Sequence, residues 1–218
     1  MARRFELLVF DWDGTLMDSA AHIASALQAA FRDLALAVPS TEAARHVIGL
    51  GLKDAMMYLN PELDRQRYEE VADRYRVHFL AGDQDIGLFP AVADGICALN
   101  QEGFLMAVAT GKSRRGLDRS LVATGLAPYF HTSRCADECF PKPHPEMLHT
   151  IMETLGVAPE RTLMIGDTTH DLQMAQNAGV AAAAVSYGAH LPGDLEGMNP
   201  LVCVNSFEQL LQWLKQNG

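Results

Sequence analysis

Five short apolar runs recur along the chain, and they constrain its fold more than any other feature. Runs of this length are typical of buried strands, and the segments between them have helical patterns closed by glycine or proline. The runs are Leu7–Phe10, Phe104–Ala109, Thr162–Ile165, Val180–Val185 and Leu201–Val204. Strands that alternate with helices form βαβ units. The pattern therefore predicts an α/β fold with a doubly wound, mainly parallel sheet.

One long stretch, from residue 19 to residue 85, has helical patterns and no strand signal. Apolar residues fall on one helical face in three segments, which are Ile23–Leu34, Leu52–Leu59 and Val71–Phe79. We therefore predict a helical cap domain over residues 19–85, inserted after the first strand. Residues 1–18 and 86–218 would form the α/β core domain. Near the end of the chain, Ser206–Leu214 reads as a capped amphipathic helix that covers the sheet.

The charge of the chain limits its partners. Its 218 residues carry a formal net charge of −10, which argues against a nucleic-acid or anionic-membrane surface. The first apolar run is too short for a signal peptide or a membrane span, so we expect a cytoplasmic protein. The four cysteines are too scattered for a disulfide framework. A zinc site at Cys135 and Cys139 is less favoured than reduced thiols, because the spacing matches no common zinc motif.

Two carboxylates, Asp11 and Asp13, follow directly after the first predicted strand. Residues i and i+2 of a strand share a face, so both side chains are expected to converge at the carboxyl end of the sheet, where α/β folds bind ligands. Two ionised carboxylates in a partly dry cleft repel each other unless a cation lies between them or one of them takes a proton. The pair therefore predicts a metal site.

Three further motifs follow later strands. Thr110-Gly111-Lys112 supplies a hydroxyl and a flexible turn suited to an anionic oxygen, and Lys142 lies between two prolines as a candidate fixed cation. Asp167 and Asp171 are four residues apart, so they would share one face if the first turn there is helical. A cluster of several carboxylates suits Mg²⁺, a hard cation that binds carboxylates together with phosphate.

The ordered set Asp11-x-Asp13-Gly14-Thr15, Thr110-Gly111, Lys142-Pro143 and Gly166-Asp167-x-x-x-Asp171 resembles the four motifs of the haloacid dehalogenase superfamily. More narrowly, it is similar to the branch of phosphoglycolate phosphatase and β-phosphoglucomutase. The resemblance spans the chain and implies a Rossmann-like core with a helical cap. It also implies a Mg²⁺-dependent hydrolase of small phosphomonoesters, whose partner is a small phosphorylated metabolite and which acts as a monomer or homodimer.

The resemblance also implies roles for individual residues. Asp11 would be the nucleophile that forms an aspartyl-phosphate, and Asp13 the general acid and base. Thr110 and Lys142 would hold the phosphoryl oxygens. Mg²⁺ would be bound by Asp11, the backbone carbonyl of Asp13, Asp167 and, directly or through a second shell of ligands, Asp171. Substrate contacts are expected from Gly111 and, in the cap, from Gly51 and Lys53.

Several alternatives stay open at this point. A mutase of the β-phosphoglucomutase type would return the phosphoryl group to a sugar. A phosphonatase would use a cap lysine such as Lys53, but such relatives replace the second acid, and Asp13 is present. A receiver-like phospho-acceptor domain gathers similar residues, but it is far shorter and leaves the helical insert unexplained. His144 and His170 lie next to the motifs and are candidates for supporting roles around the site.

Overall fold

The computed structural model of the protein describes residues 4–82 and 86–218 and has an α/β architecture. Six parallel strands form one sheet in the order β3-β2-β1-β4-β5-β6. Their bounds are β1 Leu7–Phe10, β2 Leu105–Thr110, β3 Thr132–Cys135, β4 Thr162–Gly166, β5 Ala181–Val185 and β6 Val202–Val204. Strand order reverses on either side of β1, which makes the sheet doubly wound. The predicted fold class is confirmed.

The sequence patterns missed one strand, β3. Its residues Thr132–Cys135 lie at an edge of the sheet, and only Cys135 is fully buried. An edge strand needs no continuous apolar run because part of its surface faces solvent. The five predicted strands are all present, with ends shifted by no more than one residue.

Helices cover both faces of the sheet. Side chains such as Leu8 and Phe10 pack on one side with α5, α6 and α10, whereas Leu7 and Val9 pack on the other side with α7 and α8. The core helices are α5 Val92–Gln101, α6 Arg114–Thr124, α7 Glu146–Leu155, α8 Thr169–Asn177, α9 Pro192–Gly197 and α10 Phe207–Asn217, with 3₁₀ turns at Ala127–Tyr129 and Pro159–Arg161. Alternation of side chains along each strand divides the apolar residues between these two layers.

Residues 20–82, between β1 and α5, are mainly helical, as the sequence predicts, and we call them the helical insert. It contains α1 Ala20–Asp33, α2 Thr41–His46, α3 Leu52–Leu59 and α4 Tyr68–Gly82, with a 3₁₀ turn at Arg65–Arg67. Phe31, Met56 and Val71 belong to an apolar cluster formed almost entirely within this insert. The predicted domain end at residue 85 lies outside the described residues, and the division into two domains stays a prediction.

Two chain segments join the helical insert to the core side by side. Met17 pairs with Leu88 in an antiparallel bridge, and the amide of Asp18 donates to the carbonyl of Gly87 at 3.0 Å. None of the helices within the described residues has the length and apolar character needed to cross a membrane. The carboxyl ends of β1, β2 and β4 meet beneath the helical insert, and the predicted site residues lie there.

Candidate active site

Asp11 follows the last residue of β1, and its side chain is fully buried. Its amide donates to the carbonyl of Ile165 at 2.9 Å, which ties it to β4. Carboxylate Oδ1 lies 2.8 Å from Lys142 Nζ. Neither oxygen accepts a hydrogen bond of good geometry from the described residues. Buried polar atoms are normally satisfied, so this carboxylate is open to a ligand.

Lys142 joins two of the predicted acids. Its Nζ donates to Asp171 Oδ1 at 2.6 Å and also contacts Asp11, and its side chain is inaccessible to solvent. Burial by itself lowers the pKa of Lys142, but the two carboxylates outweigh burial and raise it, so the ammonium stays charged. Burial also raises the pKa of Asp11 well above its usual value, even though Lys142 opposes this effect.

Asp167 is held by donors from two loops. Thr15 Oγ1 donates to its Oδ1 at 2.7 Å, and the amide of Ala189 donates to its Oδ2 at 2.7 Å. Gly14 has φ +82°, and a Cβ built on it would lie 2.2 Å from Asp167 Oδ2. Only glycine allows both this backbone conformation and this close approach. Burial, followed by repulsion from Asp171, raises the pKa of Asp167 to about 7.

Asp171 is held at the start of α8. Thr168 caps this helix, and its amide and hydroxyl donate to Asp171 Oδ2 at 3.1 and 2.7 Å. The condition under which Asp167 and Asp171 would share one helical face is not met, because α8 begins at Thr169 and Asp167 precedes the cap. The two carboxylates come together because β4 ends directly before the first turn of the helix.

Asp11, Asp167 and Asp171 form a buried cluster that fits a metal ion. One carboxylate oxygen from each lies within 4.8 Å of the others. Across residues 4–82 and 86–218 this is the only such group of His, Cys, Asp or Glu, which leaves the zinc alternative at Cys135 and Cys139 without support. Three buried carboxylates beside one ammonium carry excess negative charge, and oxygen ligands suit a hard divalent cation.

Asp13 lies beside this cluster but faces different partners. Its Oδ1 accepts from Ser19 Oγ at 2.6 Å and lies 2.9 Å from Lys112 Nζ. Its side chain is therefore outside the group of candidate metal-binding carboxylates, which leaves it available for proton transfer. The predicted contribution of its backbone carbonyl to the metal stays a prediction.

The predicted phosphate-binding and substrate-binding residues lie around the same opening. Thr110 is buried at the end of β2. Gly111 packs closely against the helical insert, because a Cβ built on it would lie 2.6 Å from the carbonyl oxygen of Gly49. A Cβ built on Gly51 would lie 3.3 Å from Pro141 Cβ, beside Lys142. Lys53, in contrast, is exposed on α3.

Histidines join the helical insert to the core next to the acids. The carbonyl of His46 lies 2.8 Å from His170 Nε2 and 3.0 Å from His190 Nε2. The His46 and His190 rings stack with centroids 5.1 Å apart. Burial lowers the pKa of His190 to about 4 and also lowers that of His170. The other candidate, His144, is exposed, and its ring packs at a tilt against the ring of Phe140, with the centroids 4.7 Å apart.

Sequence reasoning missed four residues that shape this site, namely Thr15, Ser19, Lys112 and Ala189. Thr15 and Lys112 belong to the motifs that follow the first and second predicted strands. Their position in these motifs is the sequence signal that could have identified them. Ala189 acts through its amide, which no side-chain pattern reveals.

Comparison with known proteins agrees with this geometry. Residues 8–185 match the model of the haloacid dehalogenase-like hydrolase family. The chain belongs to this family. It is 39% identical over 210 residues to the probable phosphatase IndB of Dickeya dadantii (strain 3937), covering 94% of this chain and 91% of that protein. The predictions of a haloacid dehalogenase-like enzyme, a phosphatase, are confirmed.

Two further relatives cover nearly the whole chain. A phosphoglycolate phosphatase of Colwellia psychrerythraea is 30% identical over 220 residues, covering 97% of each protein. The crystal structure of a hydrolase from Pseudomonas syringae superposes with a TM-score of 0.90 at 20% identity, over 97% of this chain and 98% of that one. At this level of identity, the structural likeness supports the fold alone.

Proposed function

We propose that this enzyme hydrolyses small phosphomonoesters, of the kind of phosphoglycolate, with Mg²⁺ and through an aspartyl-phosphate on Asp11. The observation that carries the proposal is the fully buried Asp11 carboxylate, whose Oδ1 lies 2.8 Å from Lys142 Nζ and whose Oδ2 has no hydrogen-bond partner among the described residues, next to Asp167 and Asp171. A buried nucleophile next to a fixed cation and a candidate metal site suits phosphoryl transfer, where positioning and charge neutralisation dominate.

In this proposal, Asp11, Asp167 and the backbone carbonyl of Asp13 would hold the Mg²⁺. Asp171, whose oxygens already contact Lys142 and Thr168, would either bind the cation as well or support the other ligands. When bound, the cation neutralises charge on the phosphoryl oxygens. The ammonium of Lys142, the hydroxyl of Thr110 and the turn at Gly111 hold the same oxygens.

An oxygen of Asp11 attacks phosphorus as the ester bond breaks, and Asp13 gives its proton to the leaving oxygen. Asp13 then takes a proton from the water that hydrolyses the aspartyl-phosphate. The two steps release the alcohol and inorganic phosphate and return both carboxyl groups to their starting states.

We also propose that residues 19–85 act as a cap domain on a core of residues 1–18 and 86–218, and that this cap selects the substrate. The close approaches of Gly49 to Gly111 and of Gly51 to Pro141, which bring the start of α3 next to the loops that carry Gly111 and Lys142, support this proposal. Gly51→Val should therefore change the preference among phosphomonoesters more than it changes hydrolysis of acetyl phosphate, which has a very small leaving group. The same comparison for Lys53→Ala tests the predicted substrate contact, and uniform losses for both variants would contradict the proposal.

The decisive experiment is to profile phosphate release from phosphoglycolate, sugar phosphates, nucleotides and pyrophosphate, with Mg²⁺ and after chelation. Asp11→Asn is the matched inactive variant, and acid quenching should trap a phosphoenzyme in the wild type but not in this variant. Full activity after exhaustive chelation, or normal turnover by Asp11→Asn, would overturn the proposal. Conversion of one sugar phosphate into another without phosphate release would establish the mutase instead. Cytoplasmic location and the monomer or homodimer state stay predictions.

A further inference from the structure

Lys112 lies inside the candidate active site, although none of the roles assigned so far involves it. Its side chain is only 9% exposed, and its Nζ lies 2.9 Å from Asp13 Oδ1. A lysine buried to this extent is rarely found without a charged partner. The chain has four lysines, and Lys112 and Lys142 are the two that lie at this site.

The contacts of Lys112 and Ser19 converge on a single oxygen of Asp13. Ser19 Oγ donates to Oδ1 at 2.6 Å, and the ammonium of Lys112 approaches the same atom. Contacts of a carboxylate oxygen with a hydroxyl or an ammonium group are charge-assisted, and they are short and directional. Because both contacts engage Oδ1, they set the rotation of the carboxylate and leave Oδ2 to face a different direction.

The helical insert completes the surroundings of this ammonium. Lys112 Nζ lies 4.8 Å from the centroid of the Phe79 ring on α4, a distance at which the face of an aromatic ring attracts a cation. Phe79 is itself held within the insert, because its carbonyl lies 2.8 Å from His22 Nε2 and the two rings pack edge to face at 5.1 Å. One core lysine therefore contacts both Asp13 and the insert.

We propose that Lys112 is a positioning residue for Asp13. It holds Oδ1, together with Ser19, so that Oδ2 is the atom that exchanges the proton, and Phe79 makes this arrangement depend on the helical insert lying against the core. The inference rests on the proposed function, in which Asp13 is the acid and base. In the first step, a proton passes from Asp13 Oδ2 to the leaving oxygen as the ester bond breaks. In the second step, Oδ2 recovers a proton from water.

The kinetic test compares two leaving groups in single-turnover phosphorylation of the enzyme. Lys112→Met should lower the rate of phosphorylation by an alkyl phosphomonoester roughly 10- to 100-fold. It should lower the rate with 4-nitrophenyl phosphate by less than about 3-fold, because nitrophenolate leaves without a proton. Lys112→Arg, which retains the charge, should restore most of the alkyl rate. Phe79→Leu should give a smaller loss with the same selectivity, and the exposed Lys215→Met is the matched control. Equal losses for both esters, or no loss, would overturn the inference.

A spectroscopic test separates this inference from the proposed function. The ammonium signal of Lys112 can be assigned by its loss in Lys112→Met, since the chain has four lysines. This signal should shift in Asp13→Asn and in Phe79→Leu, and it should be unchanged in Lys215→Met. If the Lys112 signal does not shift in Asp13→Asn, the positioning role is overturned, irrespective of the measured activity. Absence of wild-type turnover with every ester, together with a signal that depends on Asp13, overturns the proposed function instead.

Discussion

At the scale of single residues, the site is a buried group of charges in which one ammonium lies among three carboxylates. Lys142 contacts Asp11 and Asp171, while Asp167 depends on neutral donors. Removing charges from water is costly, and one ammonium does not balance three carboxylates. The arrangement therefore costs stability, and a bound cation would offset this cost.

Replacement of Asp11 tests this conflict between stability and function. Asp11→Asn should abolish turnover, because an amide cannot attack phosphorus, yet it should leave the thermal midpoint without metal unchanged or higher, because one buried charge is removed. The measurement is thermal unfolding in the presence of a chelator, beside an activity assay. The exposed Asp118→Asn serves as control and should affect neither quantity strongly. A large loss of stability in Asp11→Asn would contradict this account.

Gly14 offers a second test, since its missing side chain makes room for Asp167. Gly14→Ala should displace the Asp167 carboxylate and weaken Mg²⁺ binding by about 10-fold or more, a loss typical when a group that orients a metal ligand is removed. Gly125→Ala is the matched control, because Gly125 also has positive φ, +69°, but has open space around its Cβ position. That control should lose only about 1–2 kcal/mol of stability through backbone strain. Calorimetric titration with Mg²⁺ measures the affinity of both variants. Equal affinities of Gly14→Ala and Gly125→Ala would contradict the claim that Gly14 makes room for Asp167.

At the scale of elements, α2 of the helical insert is tied to the loop that follows β5. Arg45 donates to the carbonyls of Gly188 and Ala189 at 2.5 and 3.1 Å, and His190 reaches the carbonyl of His46. The amide of Ala189 in turn holds Asp167. The position of a short helix in the insert is thus connected to a candidate metal-binding carboxylate.

This contact predicts a pH dependence of stability. Because burial lowers the pKa of His190 to about 4, the unfolded chain binds more protons than the folded protein between pH 4 and about 6.5. The contribution of His190 to the free energy of unfolding should therefore fall as the pH falls through this range. The free energy of unfolding, measured in urea at pH 5 and at pH 7, should differ less between the two pH values for His190→Gln than for the wild type. The exposed His144→Gln should behave as the wild type does, and an unchanged difference in His190→Gln would contradict the assignment.

At the scale of the whole molecule, three parallel strands deliver their carboxyl ends to one place, and the helical insert covers that place. The sheet supplies Asp11 after β1, Thr110 at the end of β2 and Asp167 after β4. Parallel strands end on the same edge of a sheet, which is where such folds bind ligands. Because the candidate metal-binding residues come from different strands, the site exists only in the folded protein, and metal binding should therefore stabilise the fold.

Metal binding should stabilise the whole protein in a pH-dependent way. Burial and the neighbouring Asp171 raise the pKa of Asp167 to about 7 without metal, so a proton must leave before this carboxylate can bind a cation. Mg²⁺ should therefore bind more tightly at pH 8 than at pH 6. At 100 times its dissociation constant, it should add about 2.7 kcal/mol to the free energy of unfolding.

Thermal unfolding at a series of Mg²⁺ concentrations and at both pH values measures this effect. Asp167→Asn should remove most of the difference between the two pH values. Equal Mg²⁺ affinities of the wild type at pH 6 and pH 8 would show that Asp167 does not lose a proton when the metal binds.

The sequence alone predicted five of the six strands, a doubly wound parallel sheet, the helical insert and the residues that gather at the site. These features depend on local signals, because hydrophobic periodicity reports which face of an element is buried and strand ends show where polar residues collect. The strand β3 and the short helix α2 were missed, because a half-buried edge strand and a helix of six residues carry weak periodicity.

Only the tertiary structure decided which atoms meet within the site. The hydroxyl of Thr15 reaches Asp167 across 152 residues of sequence, and His190 reaches the carbonyl of His46 across 144. The pairing of Lys112 with Asp13 and Phe79 likewise joins β1, β2 and the helical insert. Such contacts depend on how elements that are distant in the chain pack together. Local sequence patterns carry no information about this packing. The sequence by itself therefore determined the chemistry available to the site, and the packing determined how each group is oriented and charged.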